Sequence, residues 1–304
     1  MVRMKQKLFI RLGALFAALL VISVLLTACS GTTLHEDHNH GAEGMISTPE
    51  DAIDYTLTFD GKTCLASRGG AVARDGDDVV IIKSGVYRLT GHFDGRLRVS
   101  VADTEHVTLI MDDFSITCSD SAALHVVNAG CVYVEVPEGK TATLNDASTY
   151  VYDLPGETKP NACIYAADDI TFRGLGKLIV NANYNNGIGC NNDIVFLSGD
   201  VTVNAKNNGI KGQGSVSLVN TAKVTVVGAE DGIKSDGIDT AKGEGVILMS
   251  GQAEAYISCA DDALQAVFNI TVKDTARIYY ECDGNIINSD GGNSVPDSAL
   301  IPWD

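Results

Sequence analysis

Apolar and polar residues alternate in short runs through most of the chain. Ile170-Thr171-Phe172 leads to Leu178-Ile179-Val180, Ile194-Val195-Phe196 to Val201-Thr202-Val203, and Val216-Ser217-Leu218 to Val224-Thr225-Val226. A period of two predicts strands with one buried face. Beyond the apolar run Leu12 to Leu26, no long stretch repeats at the helical period, so the fold class expected is all-β.

A longer period lies over the short one. Asn161-Ala162-Cys163-Ile164-Tyr165, Asn185-Asn186-Gly187-Ile188-Gly189, Asn207-Asn208-Gly209-Ile210-Lys211, Glu230-Asp231-Gly232-Ile233-Lys234 and Asp261-Asp262-Ala263-Leu264-Gln265 align with one another. Their aliphatic residue recurs after 24, 22, 23 and 31 positions, and the long interval holds an insertion around 235–245. Fainter copies are Asp120-Ser121-Ala122-Ala123-Leu124, upstream of a second insertion at 137–160, and Asp283-Gly284-Asn285-Ile286. Three short strands and their turns in each period of about 22 residues predict a parallel β-helix, a solenoid whose coils stack about 4.8 Å apart.

Stacking turns this alignment into geometry. Ile164, Ile188, Ile210, Ile233 and Leu264 form an inward column, and the small residues Ala166, Cys190, Gly212, Ser235 and Ala266 form another. Between them Tyr165, Gly189, Lys211, Lys234 and Gln265 face out. In the turn before the strand, Asn185 stacks below Asn207, Glu230 and Asp261, and Asn186 below Asn208, Asp231 and Asp262. Stacked Asn amides satisfy one another. Stacked carboxylates do not: at one coil spacing each pair costs about 3 kcal/mol at an effective dielectric near 20. A hard cation relieves that cost, and calcium suits a set of carboxylates and carbonyls among glycines. The expected calcium ligands are Glu230, Asp231, Asp236, Asp239, Asp261 and Asp262, with Lys234 as counter-ion in the alternative of solvated acidic turns.

Composition narrows the partners. The formal charge of −17 makes nucleic acid an unsuitable partner. Of eight Cys, none forms a CxxC pair; buried small apolar residues are the default reading, with one or two disulfides as the alternative that an extracytoplasmic compartment permits.

The N-terminus carries Arg3, Lys5, Lys7 and Arg11, then the apolar run, then Leu26-Thr27-Ala28-Cys29. This resembles a bacterial lipoprotein signal, which implies cleavage after residue 28, lipidation of Cys29 and anchorage on the outer face of the cell membrane. Residues 29–50 read as a flexible tether containing His35, His38 and His40, a weak transition-metal candidate, and 51–304 as one β-helical domain.

Several phrases carry a further resemblance: SGVYRLTGHFDGRLRV, DSAALHV, NACIYAADDITFRGLGKLIVNANYNNGI, NNGIKGQGSV and EDGIKSD. Over about Val80 to Ala266 the chain resembles bacterial secreted proteins known as carbohydrate-binding domain-containing. The resemblance implies a right-handed parallel β-helix that binds calcium, similar in fold to the family 9 polysaccharide lyases, with cellulose and pectic acid as ligands. The stretch 285–304 departs from the family and reads as a shortened end cap. The leading expectation is a cell-surface module for a pectic or cellulosic polysaccharide. Lys211 and Lys234 would pair with uronate carboxylates. Gln265 shares their column, Tyr165 and Tyr184 would stack on sugar rings, and Tyr150 and Tyr152 would reach over the face. The alternatives are a calcium-dependent polysaccharide lyase, for which Lys211 or Lys234 is the candidate base, and a structural surface protein or adhesin.

Overall fold

The structure, a computed structural model, describes residues 47–151 and 159–303. They belong to one unit, Ala42–Asp304. The expected leader, the Cys29 acceptor, the three tether histidines and Tyr152 lie outside the described residues. Among the described residues there is no α-helix, only three single turns of 3-10 helix, and no helix is long and apolar enough to cross a membrane.

The unit is a parallel β-helix with three faces. The first face stacks Leu97–Ser100, Leu124–Asn128, Ala162–Ala166, Asn186–Cys190, Ile210–Gly212, Ile233–Ser235, Leu264–Ala266 and Ile287–Ser289, all parallel. The second runs from Cys131–Val136 through Asp169–Gly174, Ile194–Phe196, Ser215–Leu218, Val246–Met249 and Asn269–Val272 to Asn293–Ser294. The third runs from Thr141–Asn145 through Lys177–Asn181, Asp200–Asn204, Lys223–Ala229, Glu254–Cys259 and Arg277–Cys282 to Leu300–Pro302. At the N-terminal end, Gly85–Phe93 and His106–Thr117 are long enough to join the second and third faces. Two antiparallel pairings, Tyr55–Gly61 with Thr63–Ala66 and Val72–Asp75 with Asp78–Ile81, blunt the first coil's open edge.

The inward columns are the core. Leu124, Ile164, Ile188, Ile210, Ile233 and Leu264 are in register and fully buried. On the second face Phe172 stacks on Phe196 with centroids 4.8 Å apart, and on the third Val180, Val203, Val226 and Ile257 continue the ladder. A side-chain period of two on strands stacked one coil apart puts like on like, so the repeat fills the interior by itself.

Four boundaries differ from the sequence reading. The second insertion is narrower than 137–160, because Thr141–Asn145 is already a strand of the third face. The last faint copy is displaced by one residue: Ile287, not Ile286, stacks on Leu264. The stretch 285–304 is no shortened cap but adds a strand to each of the three faces. Thr48 and Glu50, placed by the sequence in the flexible tether, are held. Thr48 donates from N and Oγ1 to the two Glu135 oxygens at 2.8 and 2.7 Å, and Glu50 pairs with Arg88.

Candidate functional site

The polar turn before each first-face strand is the part of the coil that changes character along the helix. In its middle coils it is an amide ladder. Asn207 Nδ2 donates to Asn185 Oδ1 and Asn208 Nδ2 to Asn186 Oδ1, both at 2.8 Å. Backbone bonds keep the same stack through the next coils: Glu230 N to Asn207 O at 2.6 Å, and Asp261 N to Glu230 O at 2.7 Å. The ladder therefore continues in geometry while its side chains turn from amide to acid.

Among the described residues one group of carboxylates converges: oxygens of Asp231, Asp261 and Asp262 lie within 4.8 Å of one another. Asp231 and Asp262 are nearly buried and Asp261 is exposed, so the group opens to solvent on one side. Asp231 Oδ2 accepts from Lys234 Nζ at 2.9 Å. Asp262 Oδ1 accepts from Asn285 N and Nδ2 at 2.7 and 3.0 Å, and Oδ2 accepts from Gln265 Nε2 at 3.3 Å and from Asn288. Burial pushes the Asp262 carboxyl upward, but the Asn288 and Asn285 donors outweigh it and hold the pKa below the ordinary value. Gln265 Oε1 is buried without a partner at the edge of this group.

The other expected ligands stand apart. Glu230 is exposed in the same turn, outside the converging three. Asp236 pairs with Lys211 at 2.7 Å. Asp239 caps the 3-10 turn Thr240–Lys242, accepting from Ala241 N at 3.1 Å, with Lys242 Nζ 3.6 Å away.

Tyr165, Gly189, Lys211, Lys234 and Gln265 form the expected column in register. Its two lysines are part-exposed and one coil apart. The tyrosines do not offer open rings. Tyr165 is buried, donates to Asn191 Oδ1 at 2.9 Å and meets His125 edge-on at 5.6 Å. Tyr184 stacks on Tyr150 at 4.2 Å, packed with Ala122 and Ala147.

Three features escaped the sequence reading. Asn285 and Asn288 serve Asp262 from the last coil, hidden by the one-residue displacement there. A second amide ladder, Asn145–Asn181–Asn204, ends the third-face strands with two 2.8 Å bonds; the Asn closing each of Leu144-Asn145, Val180-Asn181 and Val203-Asn204 was its signal. His125 continues the outward column, stacked between Arg98 and Tyr165, yet is fully buried with neither ring nitrogen partnered.

The sequence model of one family, described as carbohydrate-binding domain-containing protein, matches residues 75–296. A protein of Acetivibrio thermocellus with the same description is 34% identical over 192 residues, 63% of this chain and 64% of that protein. The match thus spans a little under two thirds of that relative's length. Among solved structures, the polysaccharide lyase-like protein from C. thermocellum, as a gadolinium derivative, superposes with a TM-score of 0.77 at 31% identity, covering 82% of this chain and 100% of that one.

Proposed function

The chain belongs to the family of carbohydrate-binding domain-containing proteins, and from that premise we propose that it binds a uronate-containing polysaccharide on its first face. A calcium ion held by Asp231, Asp261 and Asp262, together with Lys211 and Lys234, makes the attachment. The observation that carries this reading is the convergence of three carboxylates beside two in-register lysines.

The donor set suits calcium in kind. All three ligands are hard oxygens, Gln265 Oε1 offers a fourth, and water completes the six to eight that the ion takes. One ammonium against three carboxylates leaves the group short of positive charge. A cation on Asp231 would take the oxygen that Lys234 now holds, and the freed ammonium would be available to a sugar carboxylate. A domain of this net charge repels a polyanion unless positive groups stand between them, which the ion and the lysines supply. The related structure is a gadolinium derivative, so that relative accepts a hard cation. The packed state of Tyr165 and Tyr184 favours this charged recognition over ring stacking on cellulose.

The polysaccharide lyase-like description of the structural relative raises a lyase as the second reading. Against it, Lys211 and Lys234 are each engaged by a carboxylate, Asp236 and Asp231, rather than free to meet a substrate proton.

Retention on polygalacturonate gel, with calcium and with chelator, tests the proposal. Binding lost on chelation, and weakened by Lys211→Ala with Lys234→Ala, supports it. Binding indifferent to both changes overturns it, and unsaturated product absorbing near 235 nm replaces it by the lyase. We further propose the extracytoplasmic, lipid-anchored location implied by Cys29; palmitate labelling that survives Cys29→Ser would remove it.

A further inference from the structure

We propose that Cys259 and Cys282 are a disulfide pair that staples together the two coils before the last, beneath the acidic turn. The two residues end neighbouring third-face strands and are direct partners in register. Strands at that spacing bring Cα atoms about 4.8 Å apart, inside the 4.4–6.8 Å that a disulfide spans. Both sulfurs take the same direction: Cys259 Sγ lies 3.7 Å from Asp261 O, and Cys282 Sγ 3.9 Å from Gly284 O, each the carbonyl two residues on. Both are partly buried against the core and partly open to solvent. No other described cysteine has a cysteine for its register partner: Cys131 faces His106 and Asp169, Cys190 faces Ala166 and Gly212, and Cys64 faces Phe59. The positions sit at strand ends, where the backbone is less fixed by the ladder than in mid-strand.

The oxidant is a small-molecule disulfide. One thiolate attacks it, forming a mixed disulfide and releasing one thiol. The second cysteine thiolate then attacks the mixed disulfide at the protein sulfur, releasing the second thiol. Two protein thiols become one S–S bond and the oxidant is reduced to two thiols. Only the thiolate attacks in such an exchange, so closure quickens as pH rises. The bond would fix the Asp261–Asp262 turn against the Gly284–Asn285 turn, whose amides hold Asp262. It does not depend on the carbohydrate reading.

The test treats the full chain with oxidised glutathione at pH 8.5, alkylates remaining thiols after unfolding, and maps peptides by mass. The expected result is one cross-linked peptide pair, Cys259 to Cys282, with the other described cysteines alkylated. Dithiothreitol should then lower Tm by about 5 °C, and Cys259→Ser should abolish that drop. Alkylation of both Cys259 and Cys282, or their linkage to other cysteines, overturns the proposal whatever the protein does with polysaccharide or calcium.

Discussion

The backbone N–H of Asp262 points at Oδ1 of Asp231, one coil away, at 3.4 Å. Asn208 and Asn186 make the same rung further down, at 3.2 Å, and there the side-chain amide adds a second bond. Substituting acid for amide keeps the backbone contact and discards the amide-to-amide bond. The stack retains its geometry while gathering negative charge. A fold only marginally stable bears this more easily with a cation present.

Calcium should therefore raise Tm. At a hundredfold excess over Kd the added stability is about 2.7 kcal/mol. For a domain of this size that is about 5–10 °C. Asp262→Asn should remove most of the rise, whereas Asp239→Asn, which affects the cap of the 3-10 turn and the Lys242 pair, should leave it in place. Differential scanning calorimetry with and without chelator decides between them; an equal loss in both variants would disperse the site over the insertion.

His125 makes stability depend on pH. Burial, then the positive charges of Arg96 and Arg98, pull its pKa from 6.5 to about 3. The folded chain then keeps the ring neutral while the unfolded chain protonates it. Between about pH 6.5 and 3 the unfolded state binds the extra proton, so stability falls as pH falls, with a limiting slope of about 1.4 kcal/mol per unit from this residue. His125→Leu should flatten that part of the urea-stability profile; an unchanged slope would mean that the imidazole reaches solvent.

The ladders were legible because period and register are one fact in a solenoid. Ile188, Ile210 and Ile233, spaced 22 and 23 apart, had to stack once three strands filled each turn. The alignment also placed Asp231 and Asp262 on consecutive rungs. It could not say which acids turn away, since Asp236 and Asp239 are directed by a local ion pair and a cap within the insertion. Nor could outward register report exposure: Tyr165 occupies a column position facing out and is still buried, next to His125 and hydrogen-bonded to Asn191. The Cys259–Cys282 spacing equals one coil, but it becomes a contact only once the third-face strands are assigned.

A single core position tests the ladder itself. Ile210 is fully buried between Ile188 and Ile233. Ile210→Ala removes three carbons from a column that the coils above and below hold open, so collapse is restricted. The expected cost is about 2–5 kcal/mol by urea denaturation. Lys206→Ala, on an exposed turn side chain, should cost less than about 0.5 kcal/mol.

The Arg173–Glu135 pair gives the last prediction. Both side chains are almost wholly buried on neighbouring second-face strands, with Nε to Oε2 at 3.0 Å. Thr48 closes the arrangement, donating to both Glu135 oxygens and accepting from Arg173 Nη2 at 2.9 Å, while Tyr133 lies under the guanidinium at 4.9 Å. Desolvating two ions costs several kcal/mol each, and their attraction returns that only while both are present. Arg173→Met alone should therefore destabilise by about 3–5 kcal/mol, because Glu135 is left buried without its countercharge. Arg173→Met with Glu135→Leu should recover most of that loss, since two apolar side chains in place of the ions need no pairing. The double-mutant cycle from urea denaturation should accordingly show strong non-additivity between the two sites. Thr48 would lose its partners in the double variant, so limited proteolysis near Thr48 should rise there even as global stability returns. A double variant as unstable as the sum of the single ones would show that the ions act independently, with Thr48 rather than the pair holding this part of the chain to the second face.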